Sequence, residues 1–141
     1  MKGVITPEIL AAYRNTGYRF GQGAQAITLR IGMRSKALLR LYASSGHYCG
    51  VFITASNPLG ARQSDADNEA GFARLAAELN GMALTAIEGA GVDPAGAWPA
   101  EKSFFALGVD REAARDLGLR YRQNAIVWTG SDAIPELILL R

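Results

Sequence analysis

Two stretches of this chain are apolar at consecutive positions, and they dictate much of its architecture. Tyr48-Cys49-Gly50-Val51-Phe52-Ile53-Thr54-Ala55 is the first, and Ser103 to Val109 is the second. A strand sends successive side chains to opposite faces, so apolar residues at every position need cover on both. A sheet with helices packed on it meets that need.

Helical stripes supply the cover. Thr6 and Pro7 open a first helix, with Ile9, Leu10 and Tyr13 on one stripe. Ser35 caps a second, carrying Leu38, Leu39, Leu41 and Tyr42. Ser64 begins a third, with Asp67 where a capping box usually has Glu. Phe72, Leu75, Ala76 and Leu79 face inward there, and Gly81 is a stop. Asp110 caps a fourth that runs to Leu119.

Strands fill the intervals. Ile27, Leu29 and Ile31 alternate with Thr28 and Arg30, the mark of a half-buried strand near an edge. Gly17, Gly21 and Gly23 make the segment before it turn-rich. Residues 83–87 predict another strand, followed by a long loop over 89–100. Residues 125–129 and 136–140 are two more, joined by a hairpin across 130–135. The chain thus reads as α/β in the α+β sense. Its sheet is expected to be a single mixed layer of about six strands flanked by helices, parallel at the helical crossovers and closed by an antiparallel hairpin. With no linker or repeat, residues 1–141 are expected to form one domain.

Composition removes several functional classes. The net charge of +2 is scattered, with no run of Lys and Arg, so nucleic acid is an unfavoured partner. One cysteine, Cys49, and one histidine, His47, nearly exclude a Cys/His zinc site, and no metal is expected. Those two residues could share a strand face, but no third member completes a nucleophilic set. No phosphate-binding loop or dinucleotide fingerprint is present, so no cofactor is expected. The first residues lack a signal-peptide pattern, and the uncharged stretch 42–61 is too rich in Ser, Gly, Asn and Pro to span a membrane. A reduced cytoplasm is the expected location and a membrane is not an expected partner; the oligomeric state is left open.

The informative residues are polar ones on apolar faces, because burying an unpaired polar group costs several kcal/mol. Asn68 shares the stripe of Phe72 and Leu75. It either pins the 57–60 turn to the helix or touches a ligand. Asn57 to Ser64 leaves a central strand and enters a helix, the place where open α/β sheets bind ligands. Arg62, Ser64 and the helix N-terminus favour an anion there, whereas Asp65 and Asp67 oppose one; alternatively Ser64 only caps and Arg62 is solvated. Glu101 and Ser103 precede Phe105 and Leu107 on one strand face. That places a partly buried carboxylate at the sheet's rim, near Trp98. It serves as acid or base, or it is a structural partner. Gln123 and Asn124 stand before an apolar strand and point to opposite faces, to close a turn or to bind. Trp98 and Trp128 either stack on a planar ligand or pack in the core.

At these same segments the chain resembles a bacterial family known as domain of unknown function 3293. The landmarks are Ala12-Tyr13-Arg14-Asn15-Thr16, Phe52-Ile53-Thr54-Ala55-Ser56-Asn57-Pro58, and Ser64, Asp65 and Asn68. Trp98-Pro99-Ala100-Glu101-Lys102-Ser103-Phe104 and Gln123-Asn124-Ala125-Ile126-Val127-Trp128 follow. Ser56 stands where that family commonly has an aromatic. Arg122 stands where it has Gly, which puts a tight turn there in question. The resemblance implies a domain identity and brings no reaction with it.

The leading functional expectation is a domain that binds a small-molecule or nucleotide-like, anionic ligand. Asn57, Arg62, Ser64, Asn68, Ser103, Gln123 and Asn124 would bind it. In an enzymatic version, Glu101 is the catalytic proton-transfer group. The runner-up is a non-catalytic protein-interaction or accessory module in which these residues are pins. The third is weak nucleic-acid binding through Arg14, Arg19, Arg30 and Arg34.

Overall fold

Each helix begins where a short polar side chain takes over an orphan backbone N–H. In the computed structural model, which describes residues 5–82, 84–94 and 100–141, the four caps are those read from the sequence. Thr6 caps α1 (Pro7–Asn15), accepting from the Ile9 N–H at 3.2 Å. Ser35 caps α2 (Lys36–Ser45) and Ser64 caps α3 (Asp65–Gly81), accepting from Leu38 and Asp67 at 3.1 Å. Asp110 caps α4 (Arg111–Arg120) through the Ala113 N–H at 2.8 Å.

The strands are β1 (Gly17–Phe20), β2 (Ile27–Leu29), β3 (Gly50–Thr54), β4 (Ala86–Val92), β5 (Glu101–Leu107), β6 (Ala125–Thr129) and β7 (Glu136–Leu139). They form one sheet in the order β2-β1-β4-β5-β3-β6-β7. The fold is α+β with a terminal hairpin, and it differs from the expectation in two ways. The described residues hold seven strands, because Gly17–Phe20 is a strand and not a turn segment. Every pairing is antiparallel, so the sheet is not mixed. The strands around residues 83–109 are also shifted: β4 reaches into the supposed loop, and β5 starts at Glu101.

The reason for the antiparallel pairing is topological. The β3-α3-β4 crossover joins strands that run in the same direction, as the helical connection suggests, but β5 inserts between them. Likewise β3 inserts between β5 and β6, the ends of the α4 crossover. Two such split units make the βαββαβ arrangement of ferredoxin-like folds. β1 and β2 extend it beyond β4, and β7 extends it beyond β6.

The two apolar runs are the paired centre of this sheet, with Val51 opposite Ala106, Phe52 opposite Phe105 and Ile53 opposite Phe104. Their alternate residues feed two cores. Val51, Ile53, Phe104 and Ala106 pack with Leu75 and Leu79 of α3 and Leu117 of α4. Phe52, Phe105 and Leu107 pack on the other face with Leu38 and Tyr42 of α2. Each fully buried Leu or Phe contributes roughly 1.5–3 kcal/mol. Helix α1 differs from the others in having no buried residue.

Helix α4 ends in a Schellman arrangement. Arg122 N–H bonds Leu119 O at 3.1 Å and Gln123 N–H bonds Gly118 O at 2.9 Å. Arg122 occupies the left-handed region, φ 54°. The tight turn therefore survives the absence of glycine, with strain on a residue that has a Cβ.

Close packing in β4 leaves one position without tolerance. A Cβ on Gly89 would run into the backbone carbonyl of Arg19 and into Phe20 on β1. Gly89→Ala is expected to lower stability by about 1–3 kcal/mol, read from urea midpoints at unchanged slope. Gly91→Ala, whose Cβ meets only Thr16 at 3.5 Å, should cost far less.

Candidate functional site

Strand β3 ends at Thr54, and the chain then needs a route across the sheet's rim to the start of α3. Asn57 makes that route possible. It sits in the left-handed region at φ 47°, which Asn tolerates better than most residues. Its Oδ1 accepts the Gln63 backbone N–H and Asn68 Nδ2, both at 3.1 Å. Asn68 Oδ1 in turn accepts the Asn57 backbone N–H at 3.0 Å and Gln63 Nε2 at 2.8 Å. The Gln63 backbone donor fixes which end of the Asn57 amide is oxygen. Its Nδ2 is thereby aimed outward, and it donates to Glu101 Oε2 at 2.8 Å.

Glu101 opens β5, and its neighbours share its face. Its cross-strand partner Gly91 has no side chain, and Gly91 is paired in turn with Tyr18 of β1. The row Tyr18–Gly91–Glu101 therefore contains a gap. A cavity of about 770 Å³ opens over it on the face that α2 covers elsewhere. That is an ordinary size for a small-molecule site. Ile9, Ala12 and Tyr13 of α1 form part of its wall, which accounts for a helix that buries nothing completely.

The cavity gathers most of the residues flagged in the sequence. Asn57, Arg62, Asn68, Glu101, Ser103, Gln123 and Asn124 all line it. Ser64 does not; its hydroxyl is spent on the α3 cap. Arg62 is exposed at the mouth. Ser103 is buried and donates to the Glu101 carbonyl at 3.0 Å. Gln123 Nε2 donates to the carbonyls of Ser56 and Tyr121, both at 3.1 Å, so it holds two loops together. Trp128 packs elsewhere, with its ring N–H on the Val109 carbonyl and Arg111 over its face. Trp98 lies outside the described residues.

Asn124 is the exception to this satisfaction. It is 5 % exposed, and its Oδ1 is the one buried side-chain polar atom among the described residues with no hydrogen-bond partner. An orphan acceptor of this kind calls for a donor.

Sequence reasoning missed Tyr13 and Gln63. Tyr13 shares the apolar stripe of α1, but it lines the cavity, where Asn124 Nδ2 is the donor toward its oxygen. Its pKa is raised by burial, opposed by that hydrogen bond and reinforced by the nearby Glu101 charge. Gln63 carries no signal beyond its place beside the Ser64 cap.

Burial also raises the Glu101 pKa, with the Asn57 hydrogen bond pulling the other way. A carboxyl shifted in this direction holds its proton more readily than a free one. The same wall carries Glu8, Asp65 and Glu69 against the cations Arg62 and Lys102. Lys102 is already paired with Glu69 at 2.6 Å. Arg14, Arg19, Arg30 and Arg34 are exposed and lie off the cavity. Burial raises the Cys49 pKa, the reverse of what a nucleophilic thiolate needs.

Residues 53–126 match a family model described as Protein of unknown function (DUF3293), which is more than half of the chain. The chain belongs to the DUF3293 family. The matched span begins within β3 and ends within β6, so it covers most of the βαββαβ unit and carries the Asn57–Asn68–Glu101 network. No curated protein and no solved structure matched this DUF3293 chain.

Two outcomes follow from the network. Asn68→Ala leaves the Asn57 backbone N–H and the Gln63 amide without an acceptor, and should cost about 1–3 kcal/mol in denaturant unfolding. For Glu101, the folded state holds its proton to higher pH than the unfolded chain does. Its contribution to stability is therefore greatest below the ordinary carboxylate range and falls as pH rises through the window up to the raised value. Glu101→Gln is neutral throughout and keeps an acceptor for Asn57. Its stability relative to the native chain should rise as pH climbs above the ordinary carboxylate range, measured as the difference in urea midpoints.

Proposed function

We propose that this chain binds a small molecule in the cavity between α1 and the sheet, with Glu101 as the group that contacts it and exchanges a proton with it. The observation that carries the reading is the convergence of a half-buried carboxylate with Tyr13 and Asn124 on one hollow of about 770 Å³. Those groups come from segments far apart in sequence, and a concave cleft with a few convergent polar groups is the usual form of a small-molecule site. Asn57 holds one carboxylate oxygen in place, so the group is preorganised before anything binds. Its raised pKa suits it to acid or base work on a bound substrate.

A second reading has one specific observation in its favour. Asn57, Gln63, Asn68 and Gln123 are hydrogen-bonded to one another or to backbone, as pins in a non-catalytic accessory module would be. Against it, the large exposed apolar residues come from separate segments (Met33, Tyr48, Met82, Val92, Leu119 and Leu139) and not from a single element.

Filling the hollow separates the two. Gly91→Val projects methyl groups into the cavity from a position with room for a Cβ. A thermal-shift screen against amines, nucleotides and common anionic metabolites should raise the melting temperature of the native chain for at least one class, and not that of Gly91→Val. Glu101→Gln should keep the native melting temperature within a few degrees, by keeping an acceptor for Asn57, and should lose any turnover of the ligand found. A ligand that stabilises both chains equally binds elsewhere and ends this proposal.

A further inference from the structure

The chemistry of the cavity wall restricts what it can hold. Four carboxylates line it, namely Glu8, Asp65, Glu69 and Glu101, against two cations, Arg62 and Lys102. One of those cations is engaged by Glu69, and both are exposed at the mouth. The expectation of an anion rested on Arg62 and the N-terminus of α3, but the first turn of α3 itself brings Asp65 to the wall. The carboxylate that enters deepest is Glu101, and no described residue donates to its second oxygen, Oε1. The same cavity is lined by Asn124, whose orphan Oδ1 is an acceptor on a residue more than nine-tenths buried. A ligand that presents N–H groups would supply the donor that Asn124 Oδ1 lacks among the described residues and could also engage Glu101.

The rest of the wall is aromatic. Tyr13, Tyr18 and Phe52 line the same hollow, with Tyr18 and Phe52 edge-to-face at 5.3 Å between ring centroids. The Tyr18 hydroxyl is turned away to the Tyr13 carbonyl, at 2.6 Å. Aromatic faces beside carboxylates attract cations, and most strongly where water is excluded. A metal ion is a poor fit to these groups, since no cluster of three or more ligating side chains exists among the described residues.

From these observations we infer that the cavity takes an organic cation: a small amine or amidinium compound with a flat, apolar body. The inference rests on the small-molecule reading above and gives that ligand its chemical class. The charged N–H edge lies between Glu101 and Asn124 Oδ1. The body lies along Tyr18 and Phe52, under Tyr13 of α1. Glu8 and Asp65 at the mouth draw the cation in. Binding of this kind places a carboxylate against an ionised N–H donor, the stronger class of hydrogen bond.

Probes of one shape and three charges test this directly. Benzamidine and benzylamine are the cations, benzamide and benzyl alcohol the neutral counterparts, and benzoate the anion, with inorganic phosphate as a second anion. Each is titrated into the full chain and followed by calorimetry and by protein NMR. The cations are expected to bind at least about tenfold more tightly than the neutral compounds, and benzoate and phosphate more weakly still. Glu101→Gln should lower cation affinity about tenfold or more while leaving benzamide nearly unchanged. Should that variant fail to fold, Glu8→Gln at an exposed site of α1 must still weaken the cations, by a smaller factor, and leave benzamide unaffected.

The inference is overturned if benzoate or phosphate equals the cations, if the cations do not bind, or if their affinity ignores both substitutions. Loss of the cation preference and loss of the site give different results. Anions or neutral compounds whose binding is lost in Gly91→Val leave the cavity as a ligand site and refute only its preference for a cation. Binding of every probe that Gly91→Val leaves untouched refutes the cavity itself.

Discussion

A single amide decides how this molecule is put together around its hollow. Asn57 stands at the exit of the central strand β3 with its backbone left-handed, and its side chain has two chemically different ends. The oxygen end is taken by Gln63 and Asn68, which fastens the loop to the first turns of α3. The nitrogen end is then forced to face β5, where it meets Glu101. The carboxylate takes its position from β5, and its partner from the loop's need for an acceptor. Remove that acceptor and the loop loses its hold on the helix and the carboxylate its hold on the loop.

The hollow exists because ordinary packing is withheld in one place. Elsewhere the sheet is covered as its apolar strands demand, by α3 and α4 on one face and by α2 on the other. Over the ends of β3, β5 and β6 the cover is α1, whose inward residues line a cavity and do not sink into a core. Below it, Gly91 leaves the space between Tyr18 and Glu101 empty. A glycine at that register and a helix that buries no residue completely border the same gap.

Much of this was legible in the residues, for reasons that can be named. The paired centre of the sheet showed itself because a strand covered on both faces leaves no polar position, as in Val51 to Ile53. All four helix starts were visible because capping chemistry is local. Asn68 was suspicious because an amide on an apolar stripe must find a partner, and it found the loop foreseen for it. The common face of Glu101, Ser103 and Phe105 followed from strand periodicity. What stayed hidden depends on contacts distant in sequence. β1 was obscured by its glycines, and part of β4 by Gly89 and Gly91, which read as loop residues although the first permits close approach of β1 and the second borders the hollow. Insertion of β5 between β3 and β4 leaves no local trace, so the helical crossovers suggested parallel neighbours. Tyr13 looked like core because a stripe of α1 that faces an empty space has the same pattern as one that faces packed side chains.

The bond between Asn57 and Glu101 has a mechanical corollary. Asn57 Nδ2 needs an oxygen to donate to, and a carboxyl group supplies one whether or not it carries a proton. Charge at the heart of the hollow can thus change by a full unit while the clamp on the rim loop stays shut. The clamp is firmer on the charged carboxylate but does not require it, so the rim loop has a partner in either state.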